Sequence, residues 1–447
     1  MKQILLTVSL LCVISFASAQ FTDTTSTLLE ELVITENRLE IPFLETARSI
    51  EVLHAEKLKK LPIQSLPEAL NYLSGIDVRQ RGPLGVQADL SIRGSSFEQS
   101  LVLLNGIRIS DPQTGHHMLN LPVGFENIDE IVVLKGPAAR IYGQNAFAGA
   151  INIITKIPEQ RSIYLSGFGG DFNTYNITGA VALPSENYGQ YISFSRNASD
   201  GYRENTDYFM NNIFYQSELF ALGGKLSLQG GFTDREFGAN GFYASPAATQ
   251  QWEAIETSLA SLTYENKVNN WTFKPRIYWR RNRDQYQFVR GQPEIYENIH
   301  ITHAVGAEFH TTFESKAGTT GIGVEFRNED IKSNNLGDWN RNNIGIFTEQ
   351  QLTIGKLSLT PGVYFNWFSD FGWSAFPGLD AGYQVSKNTK AFASIGRSFR
   401  IPTYTDLYYT DPANLGNPEL NPESALSYET GIKYYKKGIY LQASYFN

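Results

Sequence analysis

Apolar and polar positions follow two different periods along this chain, and the change comes at Ile157-Pro158. Beyond it, Ile163, Leu165 and Gly167 alternate with Tyr164, Ser166 and Phe168, and Tyr191, Ser193 and Ser195 alternate with Ile192 and Phe194. Leu226 and Leu228 alternate with Ser227 and Gln229, and Ala391–Ile395 and Ile439–Tyr445 continue the pattern. These are extended segments of about 10 to 14 residues, apolar or aromatic on one side and polar on the other. Before Ile157 the pattern is mixed. Ser65 can cap a short helix with Leu66, Ala69, Leu70 and Leu73 on one face and Gly75 as its stop. Short strands are predicted at Ile76–Arg79, Leu101–Leu104, Ile131–Leu134 and Ala150–Thr155, with Asn105-Gly106 as a hairpin turn before Ile107–Ile109.

A period of two with a polar inner side fits a barrel with a wet lumen better than a sandwich, whose inner face must be dry. Short turns such as Lys436-Lys437-Gly438 alternate with long connections such as Glu236 to Thr257 and Thr403 to Pro422. Such asymmetry between two rims is a property of outer-membrane barrels. Composition agrees: aromatics make up 13% of the chain, there are 38 glycines, and no run reaches the roughly 18 to 20 apolar residues of a spanning helix. A soluble secreted β-protein remains open on these grounds.

The start of the chain points to export. Lys2, the apolar run Ile4–Phe16 and Ala17-Ser18-Ala19 form a signal peptide over residues 1–19, so the mature protein begins near Gln20. Cys12, preceded by Leu11 rather than a small residue, belongs to that leader and not to a lipid anchor. The mature chain then has no cysteine, and its fold depends on a large core or a closed hydrogen-bond network. A net charge of −8 offers no basic field for nucleic acid.

Four motifs then occur in order: Ser91-Ile92-Arg93-Gly94, Val102-Leu103-Leu104-Asn105-Gly106-Ile107-Arg108, Gly136-Pro137-Ala138-Ala139-Arg140-Ile141-Tyr142-Gly143, and Gly149-Ala150-Ile151-Asn152-Ile153-Ile154-Thr155-Lys156. This stretch resembles the plug domain of TonB-dependent receptors, most of all the vitamin B12 receptor branch. Later, Ser398-Phe399-Arg400-Ile401-Pro402 and Asn417-Pro418-Glu419-Leu420-Asn421-Pro422 are similar to paired boxes found late in such barrels. The resemblance implies an α+β plug domain (41–156) inside a transmembrane antiparallel β-barrel (157–447) of the Gram-negative outer membrane. A periplasmic arm (20–40) would precede it. The protein would be a monomeric importer in lipid with no cofactor and no enzymatic role.

Glu31-Leu32-Val33-Ile34-Thr35 resembles the TonB box, a short strand without a partner in its own domain and suited to adding onto the sheet of TonB. The other reading is an N-terminal strand of the plug. The family's barrel encloses a lumen that must be plugged. The resemblance implies that an inner-membrane motor, working through TonB on the box, remodels the plug so that a tightly bound nutrient can pass. Gly94, Gly136, Gly143 and Gly149 suit positive φ or close strand passage, or are ordinary turn glycines. Arg93 and Arg140 are costly charges in a plug core unless paired. The resemblance implies carboxylates on the barrel wall as their partners, whereas the residues alone equally allow solvated arginines.

Ligand is expected at Ser110-Asp111-Pro112-Gln113-Thr114-Gly115-His116-His117-Met118, with Asp111, Gln113, His116, His117 and Met118 as contacts. Adjacent His116, His117 and Met118 have the donor chemistry for a soft metal or a chelated one, but equally for polar contacts or a loop staple, and no resident metal is assigned. Cobalamin and a ferric siderophore are the two substrate classes, cobalamin leading on the plug resemblance. Haem is the rival, weakened because Thr403–Gly416 contains no histidine. A passive porin would lack plug and box. A hydrolase would need a nucleophile motif beside His54, His116, His117, His300, His303 or His310, and none such as G-x-S-x-G is present. About 14 to 16 barrel segments are legible against about 22 in the family, so the sequence leads us to expect an unclosed barrel lacking roughly 150 residues.

Overall fold

The computed structural model describes Val33–Ile34, Ile41–Pro42 and residues 46–437 and 439–447. The signal peptide, Glu31, Leu32, Thr35 and the rest of the arm lie outside the described residues.

The wall is a 16-stranded antiparallel sheet. Its hydrogen-bonded path runs in chain order from Ser162–Gly169 to Ile439–Phe446, and among the described residues no ladder joins those two ends. The predicted alternation sets its faces. In Tyr188–Ser199 the inward Tyr191, Ser193 and Ser195 are buried, while Ile192 and Phe194 are exposed on the outer face. In Glu297–Ser315, Asn298, His300 and Thr302 are buried inside while Val305 and Phe309 face out. Polar groups thus meet the plug or water, and apolar ones are left for lipid. At 19 residues, Glu297–Ser315 far exceeds the roughly 9 to 11 residues that cross a bilayer. One end of the wall therefore stands clear of the hydrocarbon.

Inside sits the plug. Its five-stranded sheet has the order Ile50–His54, Ile128–Lys135, Gly149–Thr155, Ser100–Leu104, Ile107–Arg108, antiparallel except where Ser100–Leu104 runs parallel to Gly149–Thr155. A second ladder pairs Ile76–Arg81 with Gln87–Ile92. Leu70, Leu90, Ile92, Val102, Leu104, Ile131, Val133, Ile151 and Ile153 form one apolar core between these layers.

Asn105 and Gly106 close the predicted hairpin at φ 51° and 76°, the double positive φ of a two-residue turn. Two sequence expectations need adjustment. The helix spans only Leu66–Leu70, capped by Ser65. Tyr72 and Leu73 continue with bonds to the residues three before them, so the turn tightens before Gly75. The connection expected from Glu236 to Thr257 is shorter, because Gly224–Gly238 and Trp252–Val268 stay paired to their ends and leave 239–251 as the loop.

Candidate functional site

The plug arginines are paired across long sequence distances. Arg93 donates to Glu429 from both terminal nitrogens (3.2 and 2.7 Å), with the Phe446 ring 4.0 Å from its guanidinium carbon. Arg140 donates to Asp380 (2.9 and 2.8 Å) and Glu349 (2.7 Å). Arg48 grips the same Asp380 at 2.6 and 3.1 Å. All three carboxylates are buried on the inner wall. They make an ionic latch between plug and barrel, and desolvated charges at such short range hold register as well as energy.

The small motif residues serve the same fit. Gly143 has φ 74°, and a β-carbon there would lie 2.9 Å from the Tyr364 ring of the wall, so only glycine lets the plug turn seat. Gly149 leaves room for the Leu134 carbonyl, which would sit 2.3 Å from a β-carbon. Gly94 and Gly136 flank Arg93, both at positive φ, and Pro137 packs on Gly396 of the wall. The Tyr142 carbonyl accepts from Arg108. Asn152 accepts from the Gly106 amide at 3.0 Å, and Asn105 donates to Thr155 (2.8 Å) and to wall residue Gln229 (2.6 Å).

The loop after this hairpin divides by function. Asp111 is fully buried, accepting from Arg280 at 2.6 Å and Thr302 at 3.1 Å. Burial, the largest single effect, would raise its carboxyl pKa, but the charges of Arg280 and His117 and the hydrogen bonds from Arg280 and the Gln113 amide together hold it below the ordinary 3.8. Met118 is buried in the plug core. Asp111 and Met118 are thus latch and core, and neither is among the residues lining the large cavity above the loop. Gln113, His116 and His117 are. They form the floor of a cavity of about 930 Å³ walled by Tyr243, Phe288 and Asn298 and by Glu253, Asp284 and His300 from the upper ends of strands.

Tyr243, Tyr286, Tyr296 and Tyr409 arc around it, successive rings edge-on at 5.6 and 6.4 Å and the last two hydroxyls 3.1 Å apart. The long connection from Thr403 completes the site. Tyr404 and Thr405 donate backbone N–H bonds to Pro112 and Gln113 (2.9 and 3.1 Å), laying the Tyr404–Tyr408 helix on the plug loop. Arg400, in the first late box, binds Glu423, the residue after the second box (3.1 and 3.2 Å), together with Asp406 (2.9 Å) and plug residue Glu98.

The two neighbouring histidines have opposite roles. Asn120 accepts from Arg235 through its oxygen (2.8 Å), so its amide nitrogen faces Nδ1 of His117 (3.1 Å). Nδ1 must accept, which leaves Nε2–H to donate to Asp284 at 3.3 Å. His117, Glu253 and Asp284 present ligand atoms within 4.8 Å of one another. With both nitrogens of His117 engaged and Tyr243 donating to Glu253, they are a hydrogen-bonded group rather than a free metal-ligand set. His116 uses one nitrogen: Nδ1 lies 2.6 Å from Asp89, and the ring stacks on Phe97 at 4.2 Å.

Sequence reasoning missed the wall residues. A parity rule could have found several, because Asp380, Glu429 and Asp284 are charges on inward positions of strands whose neighbours alternate outward.

Val33–Ile34 is not without a partner. It pairs antiparallel with Ile41–Pro42, Val33 opposite Pro42 and Ile34 opposite Ile41, correcting the expectation of an unpaired strand. Pro42 has no N–H to give, so this is a weak ladder.

A plug packed in a wide polar-lined β wall, latched by buried ion pairs under a loop-covered cavity, defines a gated outer-membrane transporter. Comparisons agree. Residues 157–447 match the TonB dependent receptor-like β-barrel and residues 42–150 the TonB-dependent receptor plug domain. The chain belongs to the TonB-dependent receptors, nutrient importers of the Gram-negative outer membrane and not enzymes. It is 26% identical to the vitamin B12 transporter BtuB of Vibrio vulnificus, over 95% of this chain and 70% of that protein. It is also 26% identical to BtuB of Photobacterium profundum, over 90% of this chain and 66% of that one. Among solved structures, the siderophore receptor PirA from Pseudomonas aeruginosa superposes with a TM-score of 0.74 at 18% identity, covering 90% of this chain and 74% of its own.

Proposed function

We propose that this receptor imports a corrinoid of the cobalamin class. The observation that carries the reading is the chemistry of the cavity. Its lining includes the carboxylates of Asp284 and Asp411, the Tyr243-bonded Glu253, several tyrosines and, among the described residues, neither lysine nor arginine. Gln113 Oε1 and Asp284 Oδ1 are buried there as acceptors without a hydrogen-bond partner. Buried acceptors call for donors, and an acidic lining repels a polyanionic ferric catecholate. A corrinoid rimmed with primary amides supplies N–H donors and no net negative core. The two BtuB relatives support the same class. In this reading Gln113, His116 and His117 are the plug contacts.

Glu31-Leu32-Val33-Ile34-Thr35 is the segment TonB takes. Exchange of the two-residue ladder with Ile41–Pro42 for a longer strand on TonB gains backbone bonds, so the pairing favours hand-over. Pulling there would strain the plug against the Arg93 and Arg140 latches, coupling work to release.

The test is saturable binding of radiolabelled cyanocobalamin, haem and a panel of ferric siderophores to cells displaying the receptor. Cobalamin binding competed by no ferric chelate is expected. Binding of a ferric chelate or haem without cobalamin overturns the reading.

A further inference from the structure

His116 differs from His117 in a way that bears on ligand chemistry, and this inference rests on the corrinoid reading above. A histidine that only staples a loop uses both ring nitrogens, as His117 does with Asn120 and Asp284. His116 uses one. Its backbone is set by Thr114, whose hydroxyl accepts the His116 N–H at 3.4 Å at the start of the Gly115–His117 turn. Phe97 fixes the ring plane from one side, at an interplanar angle of 24°.

Asp89 fixes the remaining rotation from Nδ1. That carboxylate is itself held: its side chain is 8% exposed, Gln87 donates to it at 2.8 Å, and Arg81 lies 3.4 Å away. Two donors meet it, the Gln87 amide, which also lies 3.4 Å from Nδ1, and the positively charged Arg81 guanidinium, so the carboxylate serves as an acceptor. An ionised carboxylate can only accept, so the shared proton resides on Nδ1. Nε2 then carries the lone pair. Among the described residues it has no hydrogen-bond partner, and the ring lines the cavity. Carboxylate, imidazole and an open Nε2 form the arrangement by which proteins present a histidine to a metal, the carboxylate fixing the tautomer and raising the basicity of the ligand nitrogen.

We propose that His116 Nε2 is an axial ligand for the metal centre of the incoming corrinoid, taking the place of an exchangeable axial water. The step is a substitution. The cobalt–oxygen bond of bound water breaks, a cobalt–nitrogen bond to Nε2 forms, one water leaves, the Nδ1 proton stays on the ring against Asp89, and the cobalt keeps its oxidation state. A corrinoid whose axial group is inert would be held by the cavity contacts alone. The receptor thus discriminates between corrinoids by axial lability. The acidic lining adds to this, because the water-ligated form is cationic and the cyanide-ligated form is neutral.

The experiment uses the purified receptor in detergent, titrated with aquocobalamin and cyanocobalamin and followed by calorimetry and by the corrin near-ultraviolet absorption. Aquocobalamin is expected to bind at least about tenfold more tightly, with its absorption band moving to that of a nitrogen-ligated corrinoid. His116→Gln should abolish the band shift and the preference between the two ligands. Asp89→Asn should reduce the preference about tenfold, the usual scale for loss of a carboxylate behind a metal-bound histidine. Cyanocobalamin binding together with an unshifted aquocobalamin band in the wild-type protein overturns the coordination and leaves the corrinoid reading standing. A shift that persists in His116→Gln overturns it too. Failure to bind either cobalamin overturns both readings.

Discussion

Replacing Arg140 with Met isolates what the latch contributes. Arg140 is 2% exposed and donates three hydrogen bonds of 2.7 to 2.9 Å to Glu349 and Asp380. Asp380 keeps Arg48, at 2.6 and 3.1 Å, when Arg140 is removed. Glu349, 4% exposed, has no other partner among the described residues and becomes a buried, uncompensated carboxylate. Removing one member of a buried ion pair costs about 3 to 5 kcal/mol, mostly the penalty of the orphan rather than the value of the pair. At about 1.4 kcal/mol per decade, the equilibrium for plug opening should rise by roughly two to three and a half decades. Native-state hydrogen exchange of the Gly149–Thr155 amides, in the middle of the plug sheet, reads this opening directly. Adding Glu349→Gln removes the orphan charge and should restore at least half of the lost protection. Exchange within about threefold of wild type in Arg140→Met, or no recovery in the double variant, would refute the orphan-charge argument.

Val33→Pro should abolish uptake while surface binding of ligand persists, because proline removes a backbone donor from the strand that TonB would take; equal loss of uptake and binding would remove the box assignment. Asp111→Asn leaves Arg280, 1% exposed, without its counter-charge and should lower stability by about 3 to 5 kcal/mol, checked by denaturant unfolding in detergent. His117→Ala strips a partner from both Asn120 and Asp284 and should cost about 1 to 3 kcal/mol in the same assay, whereas His116→Ala leaves Asp89 its bonds to Gln87 and Arg81 and should lower the unfolding midpoint less while acting on binding. His54 titrates above its ordinary 6.5, first through its hydrogen bond to Glu130 against the opposing effect of burial. Its stabilisation is full below about pH 6.5 and fades as pH rises through the raised value; with a third of the side chain exposed it is worth under about 1 kcal/mol, and a titration midpoint at or below 6.5 by NMR would contradict it.

Much of this protein is local, and what is local was readable. The alternation of Tyr191, Ser193 and Ser195 with Ile192 and Phe194 was legible because a strand shows lipid on one side and lumen on the other, and only alternation satisfies both. Asn105-Gly106 specified its hairpin because the turn needs two positive φ angles that these residues tolerate. For Arg93 and Arg140 the residues alone left solvated arginines as good a reading as paired ones, and only the family resemblance implied partners on the wall. Other features depended on where distant segments meet. Glu429 lies 336 residues from Arg93 and Asp380 lies 240 from Arg140, and no local pattern joins them. His116 and His117 are adjacent and chemically identical in the sequence, yet one turn of backbone places the first against Asp89 with a free nitrogen and the second against Asp284 with none. Met118, one residue further, falls into the core. Sequence set which side chains were present and the period in which they emerged; the tertiary structure decided which of them were desolvated together, and desolvation is what turns a charged or polar residue into a latch or a ligand.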